Sequence, residues 1–134
     1  MHKLLTTFMV CVIASQLAAQ PNKCAKFKTG YYENIDPGGK NTYIKRTANI
    51  QTEWEKMLGA KLRLKITWID DCTYKLRPLG GNAQWKKENP HALDKHELIV
   101  RITDTGDDYY WLSAKMDGVE MREYTSKIIK IKHW

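Results

Sequence analysis

At 134 residues the chain has room for a single domain. No stretch beyond residue 19 approaches the ~18 consecutive apolar residues of a membrane-spanning helix, which excludes a transmembrane segment in the remainder. A formal net charge of +7 would point to nucleic acid in a cytosolic protein, but the first 19 residues exclude that compartment and with it that partner.

Lys3 gives the chain a positive start, residues 4–18 carry no charge and are mostly apolar, and Ala18-Ala19 places small residues before Gln20. This is the layout of a secretory signal peptide cleaved after Ala19, so residues 20–134 are expected as one exported domain, periplasmic or secreted. Loss of Lys3 leaves a charge of about +6, and the anions met outside the cytoplasm are lipid headgroups, acidic glycans and acidic proteins. Cys11 departs with the leader. Cys24 and Cys72 remain, and an even pair in an exported chain reads as one disulfide. Closing so long a loop would contribute roughly 4 kcal/mol in the chain-entropy view. A redox or metal-binding pair is the alternative, for which no Cys-x-x-Cys is present.

From residue 25 onward the pattern is period two, the mark of strands with one buried face. Ala25–Glu33 reads as a first strand; Thr42–Thr47 and Ile50–Lys56 flank a turn at Ala48-Asn49. In Lys61–Trp68, Leu62, Leu64, Ile66 and Trp68 alternate with Lys61, Arg63, Lys65 and Thr67. Cys72–Pro78 continues the pattern, and matching apolar faces across a loop Ile69-Asp70-Asp71 sets Trp68 opposite Cys72, Lys65 opposite Lys75 and Arg63 opposite Arg77. Leu79–Lys95, with Gly80-Gly81 and Pro90, is expected to be irregular, with a short helical turn near Ala92–His96 as the alternative. Glu97–Asp104 is a further strand. Asp117-Gly118 signals a tight hairpin that pairs Met116 with Val119, Ala114 with Met121, Lys115 with Glu120 and Trp111 with Tyr124. Lys127–Lys132 closes the series. About eight antiparallel strands joined by short loops predict an all-β, up-and-down barrel, since closure removes exposed edges; a two-sheet β-sandwich is the alternative.

The like charges of Arg63, Lys65, Lys75 and Arg77 need compensation. Either an anionic partner lies across that face, or Glu53 and Glu55 of the preceding strand stand beside Arg63 and Lys61. Trp111 and Tyr124 form the expected outer aromatic pair, suited to a sugar ring or a protein partner. Leu62, Leu64, Ile66, Trp68, Tyr74, Val100, Ile102, Leu112 and Met121 are expected to line the interior. If that interior is hollow beyond roughly 300 Å³, Trp68, Tyr74, Tyr110, Leu112 and Met121 would touch a small hydrophobic ligand. Catalysis has little to rest on. Asp70-Asp71 and Asp107-Asp108 lie at turns, where Asp is favoured for local hydrogen bonds, and no Ser–His–acid motif is present. His91 and His96 do not have a zinc spacing, so neither metal nor cofactor is expected.

Cys24-Ala25-Lys26-Phe27-Lys28-Thr29-Gly30, Tyr43-Ile44-Lys45-Arg46 and Trp68-Ile69-Asp70-Asp71-Cys72-Thr73-Tyr74 resemble a group of small exported Bacteroidetes-type proteins. These share a Cys-x-x-Phe-Lys-Thr-Gly start and a Trp-Ile-x-Asp-Cys-x-Tyr hairpin. Such chains sometimes carry a "DNA topoisomerase IV" label, which the length and the absent nucleotide motifs of this one do not support. Gly30-Tyr31-Tyr32 also resembles the Gly-x-Trp start of lipocalin-like barrels, with Arg122 in the place of their late-strand Arg; this likeness implies an apolar cavity. The expectation is therefore a monomeric, non-enzymatic binding module for a small hydrophobic ligand. A cell-envelope interaction protein acting through its basic face and outer aromatics is the alternative, and an enzyme the least supported reading.

Overall fold

In the computed structural model the described residues are 21–35, 41–90, 97–118 and 123–134. The expected leader, Met121, Arg122, the partners of Met116, Ala114 and Lys115 across the last hairpin, His91, His96 and the turn at Ala92–His96 lie outside them. Eight strands follow one another: β1 (Gly30–Ile35), β2 (Asn41–Arg46), β3 (Ile50–Glu55), β4 (Ala60–Asp70), β5 (Thr73–Gly81), β6 (Leu98–Thr105), β7 (Tyr109–Met116) and β8 (Tyr124–Ile131). Each pairs antiparallel with its sequence neighbour, and β1 pairs with β8 to close the barrel. This is the up-and-down barrel that the alternation predicts, not the sandwich.

Ahead of the barrel, α1 (Pro21–Cys24) and a 3-10 turn (Ala25–Phe27) replace the start of the expected first strand. This segment caps the lower end. Cys24 and Cys72 form a disulfide with Cα atoms 5.2 Å apart. Phe27 is wholly buried against Tyr32 and Tyr110. Lys26 Nζ donates to the carbonyls of Gly106 and Asp107 in the β6–β7 turn, and Lys28 pairs with Asp71. Leu64, Ile66, Tyr74, Val100, Ile102 and Leu112 are buried in the interior as the alternation requires, while Leu62 and Trp68 are partly buried against them.

Registers depart from expectation at three hairpins. In β4–β5, Trp68 faces Tyr74 rather than Cys72, so Lys65 faces Arg77, Thr67 faces Lys75 and Arg63 faces Gly80. The slip is two residues and preserves the faces. Its cause is local: Cys72 turns out of the strand to reach Cys24, Asp70 Oδ1 accepts from Cys72 N at 2.8 Å, and the ladder is irregular between Trp68 and Asp70. In β3–β4 the slip is a single residue. Thr52 faces Arg63 and Trp54 faces Lys61, while Glu53 and Glu55 pair with Leu62 and Ala60. That turns both acids into the barrel and removes them from the basic face. In β7–β8, Gly118 keeps the positive φ of a turn (74°), yet β8 begins only at Tyr124. Trp111 therefore faces Lys127, and Tyr124 faces Ala114.

The irregular stretch after residue 79 is also more ordered than expected. β5 runs to Gly81, and α2 (Ala83–Glu88) follows, capped by Asn82, whose Oδ1 accepts from Trp85 N and Lys61 N. Trp85 is buried on Gly81, where a Cβ would come within 2.6 Å of the Lys61 carbonyl oxygen; only glycine admits so close an approach.

Candidate functional site

Alternation along β2 puts Thr42, Ile44 and Arg46 on the inner face, and so delivers a guanidinium to the lower third of the barrel. Arg46 is 2% exposed. Its Nε donates to Gln51 Oε1 at 2.9 Å, Nη1 to the Phe27 carbonyl at 2.8 Å, and Nη2 to the hydroxyls of Tyr74 and Tyr110 at 3.3 and 3.0 Å. Its charge also sits 5.0 and 4.9 Å from the ring centres of Tyr32 and Tyr74. Burial works against the cation, but the surrounding hydroxyls of Tyr110, Tyr74 and Tyr32 outweigh it and hold Arg46 charged beyond the usual arginine range. Burial pushes the Tyr32 phenol up to about 12 against the pull of Arg46. It pushes Tyr74 well above the ordinary value too, reinforced by Tyr110.

Gln51 relays this charge to β3. It accepts from Arg46 and donates through Nε2 to Glu53 Oε1 at 2.7 Å. Burial raises the Glu53 carboxyl above its usual range, opposed by the Gln51 hydrogen bond and the positive charge of Arg46. One step higher on the same inner face, Glu55 Oε1 is buried and has no hydrogen-bond partner among the described residues.

Above this network lies a cavity of about 200 Å³. Its floor is Gln51, Glu53, Tyr74 and Tyr110; Ile44, Leu76, Val100, Leu112 and Ile128 form apolar walls; Asn34, Leu98 and Tyr124 stand at the upper end. Ser126 Oγ donates to Asn34 Oδ1 at 2.6 Å, which fixes the amide at the rim. A wider depression of about 350 Å³ lies between β3, β4 and β5 beside Lys61, Arg63 and Leu79. The interior cavity is the smaller, but it is the one where apolar walls and buried polar groups converge.

Of the residues expected to touch a ligand, Tyr74, Tyr110 and Leu112 line the cavity. Trp68 does not: it packs on Tyr74 at the lower end, with Lys28 Nζ over its ring. The outer aromatic pair is dissolved. Trp111 points outward from β7 at 43% exposure, whereas Tyr124 stands at the cavity rim at 45%. Arg63, Lys65 and Arg77 do share the outer face of β4–β5, and Lys75 there pairs with Glu97 at 3.7 Å. Arg46, Gln51 and Glu53 are the site residues that pattern reading missed. The available signal was that Arg46 shares its face with Ile44. Among the described residues no three His, Cys, Asp or Glu side chains converge as a metal site. No family model matches the chain, and no curated protein and no solved structure matches it.

Proposed function

We propose that this chain is an exported, non-enzymatic binding barrel of lipocalin-like shape, and that its cavity takes a small, compact molecule with an apolar body and a cationic or hydrogen-bond-donating head. The observation that carries the reading is the pairing of apolar walls with the carboxylate of Glu53, the acid that lines the cavity. A ligand donor placed there would add to the hydrogen bond that Gln51 gives Glu53 Oε1. An anionic head would meet like charge. Arg46 offers it no help, because its hydrogen bonds already go to Phe27, Gln51, Tyr74 and Tyr110. The volume sets the size of the guest. About 200 Å³ falls below the ~300 Å³ of ordinary drug-sized sites and corresponds to roughly seven waters, so a short branched amine fits the space where a fatty acid does not. The leader-like first 19 residues and the Cys24–Cys72 bridge support export.

The test is thermal unfolding with matched series of short branched amines, alcohols and carboxylic acids. Amines are expected to raise the midpoint and acids to leave it unchanged. Because a cation favours ionised Glu53, amine binding should strengthen from mildly acidic to neutral pH, and Glu53→Gln should abolish both the preference and the pH dependence. Equal stabilisation by acids and amines, or none by any of the three, overturns the reading.

A further inference from the structure

We propose that the outer face of β1–β4, with the C-terminal Trp134, is a docking surface for an acidic polysaccharide. This is independent of the cavity reading. Cross-strand register lines the outward side chains into rows. One row runs Tyr31, Lys45, Thr52, Arg63 across β1, β2, β3 and β4. The next runs Glu33, Tyr43, Trp54, Lys61, with the Glu33 carboxylate at the β1 end accepting from Asn41 Nδ2 at 2.9 Å, and a third sets Lys65 opposite Arg77. With strands ~4.8 Å apart, each four-strand row spans roughly 14 Å, the scale of a few sugar units. Trp134 joins the rings edge-on, 6.0 Å from Trp54 and 6.3 Å from Tyr31.

The cations on this face lack carboxylate partners among the described residues. The acids expected to neutralise them, Glu53 and Glu55, point into the barrel. Instead the lysines rest on rings. Lys45 Nζ lies 5.8 Å from the centre of Tyr31, Lys56 4.1 Å from Tyr43, and Lys61 4.5 Å from Trp54. At an exposed site such contacts are weak and readily exchanged for an anion. When the lysines swing to carboxylates or sulfates, the half-buried rings become free to stack on the apolar faces of sugars. The 350 Å³ depression beside Lys61, Arg63 and Leu79 gives the chain a recess at the end of the row.

Charge complementarity alone would also suit nucleic acid or an anionic membrane. Export argues against nucleic acid. Against a membrane, the rings of the face are half-buried rather than free to insert, and the exposed aliphatic side chains Ile35, Met57, Leu58 and Leu79 stand at the margins of these rows, at the end of β1, in the β3–β4 turn and on β5, rather than as one continuous apolar patch.

Binding of the wild-type protein is measured at low salt to immobilised polygalacturonate, heparin, neutral dextran, polyglutamate, duplex DNA and phosphatidylserine vesicles. The two acidic glycans should bind, dextran should not, and polyglutamate, DNA and vesicles should bind at least about tenfold more weakly at equal charge concentration. Added salt should weaken the glycan complex. The double variant Lys61→Glu/Arg63→Glu should lose about tenfold or more of the glycan affinity, whereas Arg101→Glu/Lys115→Glu, on the outer face of β6–β7, should lose little. Parity between polyglutamate and polygalacturonate, preference for DNA or vesicles, or equal losses from the two double variants overturns the proposal.

Discussion

Arg46 holds the lower half of the barrel through four acceptors from four separate places in the chain. The Phe27 carbonyl comes from the cap, Gln51 Oε1 from β3, and the hydroxyls of Tyr74 and Tyr110 from β5 and β7. Removing the guanidinium takes that donor from the Phe27 carbonyl and Gln51 Oε1 in a buried space and leaves the Tyr74 and Tyr110 hydroxyls only their 3.0 Å contact with each other, and breaking a buried charged network by truncating one partner costs ~3–5 kcal/mol. Lysine is no substitute, because a single ammonium cannot reproduce a planar fork aimed in three directions. Both Arg46→Met and Arg46→Lys are therefore expected to lose about 3 kcal/mol or more in urea denaturation at neutral pH, and losses under 1 kcal/mol for either would refute this account. Little of it was legible in the sequence. The alternation Thr42, Ile44, Arg46 puts the arginine on an apolar face, but a charged side chain at that register is ordinarily turned to water, and its acceptors lie 5 to 64 positions away. Glu53 was hidden for a related reason. The run Gln51, Glu53, Glu55 opposite Ile50, Thr52, Trp54 looks like an outward acidic face, and only the interior amide and guanidinium make the inverted face the stable one.

Strand existence was legible where alternation is long, as in β4, and register was not where loop chemistry decides it. Trp68 and Cys72 share an apolar face, so parity pairs them; the bridge to Cys24 instead draws Cys72 into the turn and advances the ladder by one full pleat. Asp117-Gly118 did mark a turn, but two strong turn residues cannot reveal that β8 resumes only at Tyr124. The N-terminal cap resembles the start of a strand in sequence because Phe27 and the residues around it alternate as well. What distinguishes them is tertiary: Phe27 fills the lower end of the barrel instead of adding to its wall. The disulfide ties this cap to the β4–β5 turn across 48 residues, a loop whose closure contributes roughly 4 kcal/mol in the chain-entropy view. Cys24→Ser/Cys72→Ser is expected to lose most of that in guanidinium denaturation and to admit trypsin at Lys26 and Lys28, which the intact cap holds against Gly106, Asp107 and Asp71. A double variant that unfolds at the wild-type midpoint and stays uncut would show that the cap is held without the bridge.

At the scale of the molecule, closure was legible from eight consecutive alternating segments, but the chemistry enclosed was not, because it depends on which strands face one another through the interior. β1, β5 and β7 bring Tyr32, Tyr74 and Tyr110 around the guanidinium supplied by β2, so four strands spread round the barrel meet at one point. In the unfolded chain every phenol ionises near ~10. Folding raises Tyr32 to about 12 and Tyr74 well above 10, mainly by burial. A raised folded pKa means that the folded state binds the proton more tightly than the unfolded state does. The associated stability is fully present below pH ~10 and is lost as pH climbs from there through the folded values. Since Tyr32 and Tyr74 belong to different strands, their ionisation should open the lower end of the whole barrel and not fray one hairpin. Titration into alkali is expected to give the share of tyrosinate absorbance that belongs to Tyr32 and Tyr74 together with the loss of near-ultraviolet circular dichroism, in one cooperative step above pH ~10. Tyr32→Phe, which gives up the hydrogen bond to the Thr29 carbonyl, should cost about 1 kcal/mol at neutral pH and progressively less as the alkaline transition is approached, because it also removes one of the phenols that must ionise. A wild-type absorbance change that completes gradually while the near-ultraviolet spectrum persists would mean that these phenols reach solvent with the barrel still closed, and that the guanidinium cluster does not lock the strands together.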